Sequence, residues 1–197
     1  MTAKRWPMQQ GFTLVELIVG ILVFAVALVS LANVFLPQVR KGIDPIWQVR
    51  AVTLAQSLTN EIRAKAFDEN TPVVNAGGIC GGPLACTASA NFGPDAGETR
   101  SFFDDVDDFH GLTLSGSDIA NSLGINTTFA GVDVYEGFSA SVEVMYDDNQ
   151  DGVNDDDLDQ DSNLDTGTLV GNRKLVKITV QTPGDENIVF SMFRNNY

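Results

Sequence analysis

Asp147, Asn149 and Asp151 occupy alternate positions, and Gly152 follows them. That is the ligand spacing of a calcium loop. Alternate oxygen side chains face one hard cation, and the glycine permits a sharp turn. The carbonyl of Val153 and the side chain of Asp155 fall in the next two ligand slots. The twelfth position is Leu158, where a helix–loop–helix calcium site needs a bidentate Glu. Asp157 or Asp159 serves there only if the loop shifts. The pattern is closer to the shorter aspartate loops of extracellular modules. A second alternating run, Asp157, Asp159, Asp161, Asn163 and Asp165, either holds another ion or completes the first site. Nine aspartates and no Lys or Arg lie from Asp147 to Asp165. Without counter-ions these charges repel one another, and the bland alternative is a solvated acidic loop. Calcium in a structural role is therefore the expected cofactor, pinning the loop between two strands.

Glu16 is the second group whose setting implies a role. It sits inside an apolar run from Phe12 to Leu36. A buried, unpaired carboxylate in lipid costs several kcal/mol, so such a residue has a partner and a job. The run spans roughly 37 Å as a helix at about 1.5 Å per residue, enough for a bilayer core of about 30 Å. A secretory signal has a shorter apolar region with its small-residue junction after it. Here the small residue, Gly11, comes first. Lys4 and Arg5 precede the span, so the N-terminus stays cytoplasmic and the bulk is exported. The bland alternative is a plain signal anchor with one stray acid.

Cys80 and Cys86 enclose five residues. In an exported, oxidising location a disulfide is the natural reading, whereas two thiols alone make a poor zinc site. Arg100 to His110 holds four aspartates among Phe102, Phe103, Val106 and Phe109. No spacing there matches a metal loop, so the expectation is a turn whose aromatics enter the core while the acids cap backbone groups. His110 is the only histidine. No nucleophile elbow or histidine metal pair is present, and no catalytic residue is expected.

These groups need elements to hold them. Pro45 to Phe67 repeats Ala51, Ala55, Leu58, Ile62 and Ala66 at three- and four-residue steps, with Trp47 and Leu54 nearby, as an amphipathic helix does. Asp44 before Pro45 reads as its N-cap, and Gly42 and Pro45 weaken any continuous helix. Residues 71–99 read as loop. Strands are expected at 112–115, 138–146, 175–181 and 188–193, the last pair joined by turn chemistry at 182–186. A helix followed by antiparallel strands indicates an α+β domain with one sheet face on the helix. Residues 71–197 carry five Lys/Arg and twenty-one Asp/Glu, within a formal net charge of −14 for the 197-residue chain. So acidic a surface repels phosphate backbones and argues against nucleic-acid binding.

Gly11-Phe12-Thr13-Leu14-Val15-Glu16 resembles the cleavage and methylation motif of type IV pilins and type II secretion pseudopilins. The resemblance implies that a prepilin peptidase cuts between Gly11 and Phe12 and methylates the new amine. It implies that Glu16 pairs with the N-terminal amine of a neighbouring subunit during assembly. It also implies a pilin-like α+β fold, a long N-terminal helix whose second half packs on an antiparallel sheet. The domains are then a leader at 1–11, a transmembrane and filament-core helix at 12–36, an amphipathic second half at 37–70, and an exported head at 71–197 with its acidic loop at 147–165. Pseudopilins use calcium structurally in the same manner. Asp44-Pro45, Gln48 to Ala51, Asn60 to Ile62, Phe67 to Asn70 and the segment from Arg100 to Gly111 are similar to the MshD group of minor pilins of the mannose-sensitive haemagglutinin (MSHA) pilus. Many major pilins carry proline near the twenty-second mature residue. Asn33 stands there, and the nearest proline is Pro37.

The function so implied is a minor pilin that enters the inner membrane in a single pass, with its head in the periplasm, and then joins or initiates a pilus at the cell surface. Its partners are other pilins, the peptidase and the membrane. A pseudopilin of a type II secretion system and a tip-displayed adhesive module are the competing readings, and aromatics in 100–138 would favour the latter if they proved exposed.

Overall fold

A computed structural model describes residues 13–41, 44–71, 79–81, 85–120 and 125–197, with side chains described outside 34–44. Gly11, Phe12 and Gly42 lie outside the described residues. The chain divides into two units, Met1–Pro45 and Ile46–Tyr197.

In the first unit, helix α1 runs over Leu14–Lys41. Thr13 starts it: its Oγ1 accepts the Glu16 N–H at 3.3 Å, and the two residues have capping-box spacing. Glu16 therefore stands in the first turn, where the helix dipole favours a carboxylate. Leu14–Asn33 has a mean hydropathy of 2.8, with none of its most apolar window buried. By length and composition it can cross a bilayer. The helix passes Asn33 and Pro37 without ending and runs to Lys41. A proline removes one helical hydrogen bond, and the following residues continue the helix regardless.

The second unit is built on α2, Asp44–Arg63, whose first turn holds Pro45, where no N–H is required. Ala51, Leu54, Ala55, Leu58 and Ile62 are its buried stripe, and the two alanines let the backbone come close to the sheet. That sheet has the order β1-β4-β5-β6, from β1 (Thr113–Ser115), β4 (Ser139–Tyr146), β5 (Arg173–Gln181) and β6 (Asn187–Asn195), with every neighbour antiparallel. A two-stranded ribbon, β2 (Thr128–Phe129) with β3 (Val132–Asp133), is separate and was not expected from the sequence. Alternation sends Ala140, Val142, Val144 and Tyr146 inward from β4, and Val176, Ile178 and Val180 inward from β5. β6, at the sheet edge, contributes the half-buried Ile188, Phe190 and Met192.

The 100–110 segment closes one end of this core. Arg100 grips Glu61 of α2 through two contacts, 3.2 and 2.6 Å, and donates to the Ala120 carbonyl at 2.9 Å. Phe103, Val106 and Phe109 are buried, while Phe102 is 73% exposed. Asp108 Oδ2 accepts the N–H groups of Asp104 and Asp105, and Asp105 Oδ1 accepts that of Asp108. The acids cap local backbone while most of the aromatics pack inward.

A second apolar cluster joins Phe67, Cys80, Cys86 and Tyr146. Cys80 and Cys86 form a disulfide with a Cα–Cα distance of 4.9 Å. Asn196 holds that loop by exchanging hydrogen bonds with the Cys80 backbone, 3.1 Å from its N–H and 3.0 Å to its carbonyl. Next to the cluster lies buried charge that the sequence reading did not foresee: Lys174 with Asp68, Asp107 and their neighbour Asp105, all at most 3% exposed.

Burial, with a hydrogen bond and charge from Asp107, raises the Asp105 carboxyl from its ordinary 3.8 to about 8. The folded state thus keeps a proton that the unfolded chain releases. Stability from that proton is complete below pH 3.8, erodes as pH climbs toward about 8, and is flat above. Asp105→Asn should be more stable than the parent at neutral pH. The gap in Tm should widen through this window and then level off, as thermal unfolding across pH will measure.

Candidate functional site

The acidic segment leaves β4 at Tyr146 and returns at β5, as the sequence reading placed it. Its local structure comes from carboxylates folding the chain around themselves. Asp147 is fully buried. Its Oδ1 accepts the Asp151 N–H at 3.1 Å and its Oδ2 the Gly152 N–H at 2.9 Å. Asn149 Oδ1 accepts the same Asp151 N–H at 2.9 Å, and Asp151 Oδ1 accepts the Val153 N–H at 2.8 Å. Asp155 closes the loop, its Oδ2 on the Asp148 N–H at 2.7 Å and its own N–H on Tyr146 O at 2.9 Å.

The same pattern then repeats with every residue number raised by ten. Asp157 accepts from the N–H groups of Asp161 and Ser162, each at 3.1 Å. Asp159 accepts from Asp161 N–H at 3.3 Å, and Asp161 from Asn163 N–H at 2.8 Å. Asp165 accepts from Leu158 N–H at 3.0 Å, and its own N–H reaches Asp156 O at 2.6 Å. Backbone conformation repeats too: φ is 65° and 82° at Gln150 and Gly152, then 57° and 69° at Gln160 and Ser162. Glycine adopts such angles freely, whereas glutamine and serine do so only where side-chain hydrogen bonds hold them.

The residues picked from the sequence therefore divide. Asp147, Asn149, Asp151, Val153 and Asp155 form the first loop. Asp157 and Asp159 lie in a second loop that repeats the first. In the second loop Asp157, Asp159 and Asp161 each present a carboxylate oxygen, all within 4.8 Å of one another. In the first, Asn149 Nδ2 donates to Asp151 Oδ2 at 3.0 Å. The donors are hard oxygens on short side chains, and three carboxylates converge. That set fits a calcium-like cation better than a soft or imidazole-seeking metal.

Residues outside the motif anchor both loops. Asp156, 3% exposed, takes the hydroxyl of Ser89, the Thr166 hydroxyl at 2.6 Å and the Thr166 N–H at 3.0 Å. Burial pushes its carboxyl upward, but these hydrogen bonds outweigh burial and leave it below the ordinary carboxylate range. Asp148 Oδ1 takes the N–H groups of Asn172 and Arg173 at 2.9 and 2.7 Å, fastening the loop to the start of β5. From the sheet, Lys177 Nζ donates to Gly152 O at 2.8 Å. An open cleft of about 410 Å³ separates the second loop from β4, and Phe92, His110, Glu143, Asp157, Gln160 and Lys177 line it. His110 faces β4, its Nδ1 2.8 Å from Val144 O and 3.1 Å from Val144 N.

The anchors and the loop acids should separate in a stability measurement without calcium. Asp156→Ala strands the hydroxyls of Ser89 and Thr166 and should cost about 1–3 kcal/mol in denaturant unfolding. Asp159→Ala removes one exposed Asx contact and should cost about 0.5 kcal/mol or less.

A family model described as the prokaryotic N-terminal methylation motif matches residues 6–32. No curated protein and no solved structure matches the chain. The matched segment holds Gly11, Phe12 and Glu16, the residues singled out for processing and docking. It does not reach the segments similar to the MshD group, and that finer likeness finds no support here. The motif-bearing apolar helix, a second helix and an antiparallel sheet make up a pilin-like α+β set of elements, and the matched segment is similar to the N-terminus of type IV pilin-like proteins.

Proposed function

We propose that the chain is a minor pilin, a structural subunit that enters the inner membrane, is cut between Gly11 and Phe12, and joins or initiates a pilus. An MSHA-type pilus is the finer reading. The observation that carries the proposal is the methylation motif at 6–32 on a helix long and apolar enough to cross a membrane. Such a helix is satisfied by lipid before assembly and by other pilin helices afterwards. Glu16 is then neutralised by the N-terminal amine of a neighbouring subunit. A pseudopilin of a type II secretion system shares the motif and is the nearest alternative.

The head supplies bulk and surface, and the proposal gives it no catalysis: the only histidine is tied to Val144. Calcium would be held by Asp147, Asn149, Asp151, Val153 and Asp155 in the first loop and by Asp157, Asp159 and Asp161 in the second. Bound there, it would offset the repulsion among the loop carboxylates and fix the segment between β4 and β5. Display of an adhesive surface is a second reading, favoured by Phe102 at 73% and Phe129 at 79% exposure.

Glu16→Val should leave leader cleavage intact and reduce filament content severalfold, as immunoblots of sheared fibres will report. Normal content would contradict the docking role. Calcium at about one hundred times its Kd should stabilise the protein by about 2.7 kcal/mol, read as a rise in Tm. Asp151→Ala and Asp157→Ala should each reduce the rise, and an undiminished rise in either variant would remove that residue from the ligand set.

A further inference from the structure

The function proposed above makes no use of Lys174, and the position of this residue is unusual on its own terms. It points inward from β5 and is fully buried, so its amine is shielded from bulk solvent. Its Nζ lies 2.6 Å from Asp107 Oδ1, 3.1 Å from Asp68 Oδ2 and 2.8 Å from the Phe67 carbonyl. The rings of Phe67, Phe92 and Tyr146 wall it in at 4.5, 5.0 and 5.8 Å.

The two carboxyls around it are equipped differently. Asp68 accepts two backbone hydrogen bonds, from Asn70 N–H at 3.1 Å and from Thr87 N–H at 2.8 Å. Asp107 instead shares a hydrogen bond with Asp105, which burial keeps protonated up to about pH 8. One carboxyl lies within reach of an Nζ proton, and the other lies beside a proton source. Amide condensation needs these parts: an amine, a carboxyl with a proton source, and a base.

We propose that Lys174 and Asp107 join through an amide bond in the folded head. Asp68 takes a proton from Nζ, and the freed lone pair attacks Asp107 Cγ. The C–N bond forms, a C–O bond breaks, and the departing oxygen leaves as water. That oxygen needs two protons: Asp105 lends one, the second Nζ proton supplies the other as the C–N bond forms, and Asp68 returns the proton it took to restore Asp105. In sum, an ammonium and a carboxylate become one amide and one water, with no oxidant or reductant. Desolvation of the buried ion pair opposes the starting state and not the neutral amide. Fixed neighbours supply the orientation that a bimolecular reaction lacks. The bond would close the chain from the 100–110 segment to β5 and enclose both acidic loops.

The test is the mass of the full-length chain under denaturing conditions, followed by peptide mapping. The expected mass is lower by one water than the sum for its residues with the disulfide formed. A branched peptide should carry Lys174 and Asp107, and Lys174→Arg should regain the water. Three results would overturn the proposal: a wild-type mass equal to the linear sum, meaning an ion pair only; a branch through Asp68; or a water loss that maps to a succinimide at Asp151-Gly152. Should Lys174→Arg fail to fold, the wild-type mass and branched peptide still decide. A failure here leaves the pilin reading untouched, because that reading rests on the N-terminal segment.

Discussion

An apolar helix of membrane-spanning length is the constraint on which the rest depends. Leu14–Asn33 exposes its leucines, valines and phenylalanine along its length, and the only carboxylate on it stands in the first turn. At about 25 cal/mol per Å² of apolar surface, such a helix cannot remain in water. Lipid or the helices of other subunits must cover it. Either environment makes Glu16 expensive without a cation, although the helix dipole offsets part of that cost. In the function proposed, cleavage before Phe12 would supply that cation as a new amine on each neighbour.

The head solves a different problem. Its charge is strongly acidic, and several of its carboxylates are drawn inside. One lysine and a set of backbone N–H groups take most of that burden. Lys174 draws together the end of α2's following segment, the 100–110 turn and β5, and Arg100 fastens the same turn to α2 through Glu61. The disulfide loop connects to this node, because Thr87, the residue after Cys86, donates to Asp68 and accepts from the Tyr146 hydroxyl at 2.7 Å. Ser89 then links it to Asp156 and so to the acidic loops. The loops are therefore tied to the core through buried polar contacts and do not hang free from two strand ends.

The elements with a clean period were legible in the residues. The Ala51–Ile62 stripe, the alternation of β4 and β5, and the turn before β6 all follow from spacing that packing enforces. The short ribbon of β2 and β3 was not, because two residues a side leave no period to read. The first acidic loop was legible from its D-x-N-x-D-G order. The second, which has Ser162 in place of glycine, showed only as an alternating run, and its identity with the first emerges from hydrogen bonds that repeat ten residues on. Lys174 was missed although a signal existed. It shares the inward parity of Val176, Ile178 and Val180, so the alternation that named the strand also pointed its lysine into the core. Which acids would meet it depends on contacts between residues far apart in sequence, and no local pattern encodes that.

The account turns on what the first residue of the functional chain is. Mass spectrometry of the N-terminal peptide from protein recovered from sheared fibres tests this most directly. The chain should begin at Phe12, and its amine should carry one added methyl group. A chain that still begins at Met1 would contradict the account, since Glu16 would then have no neighbouring amine to meet.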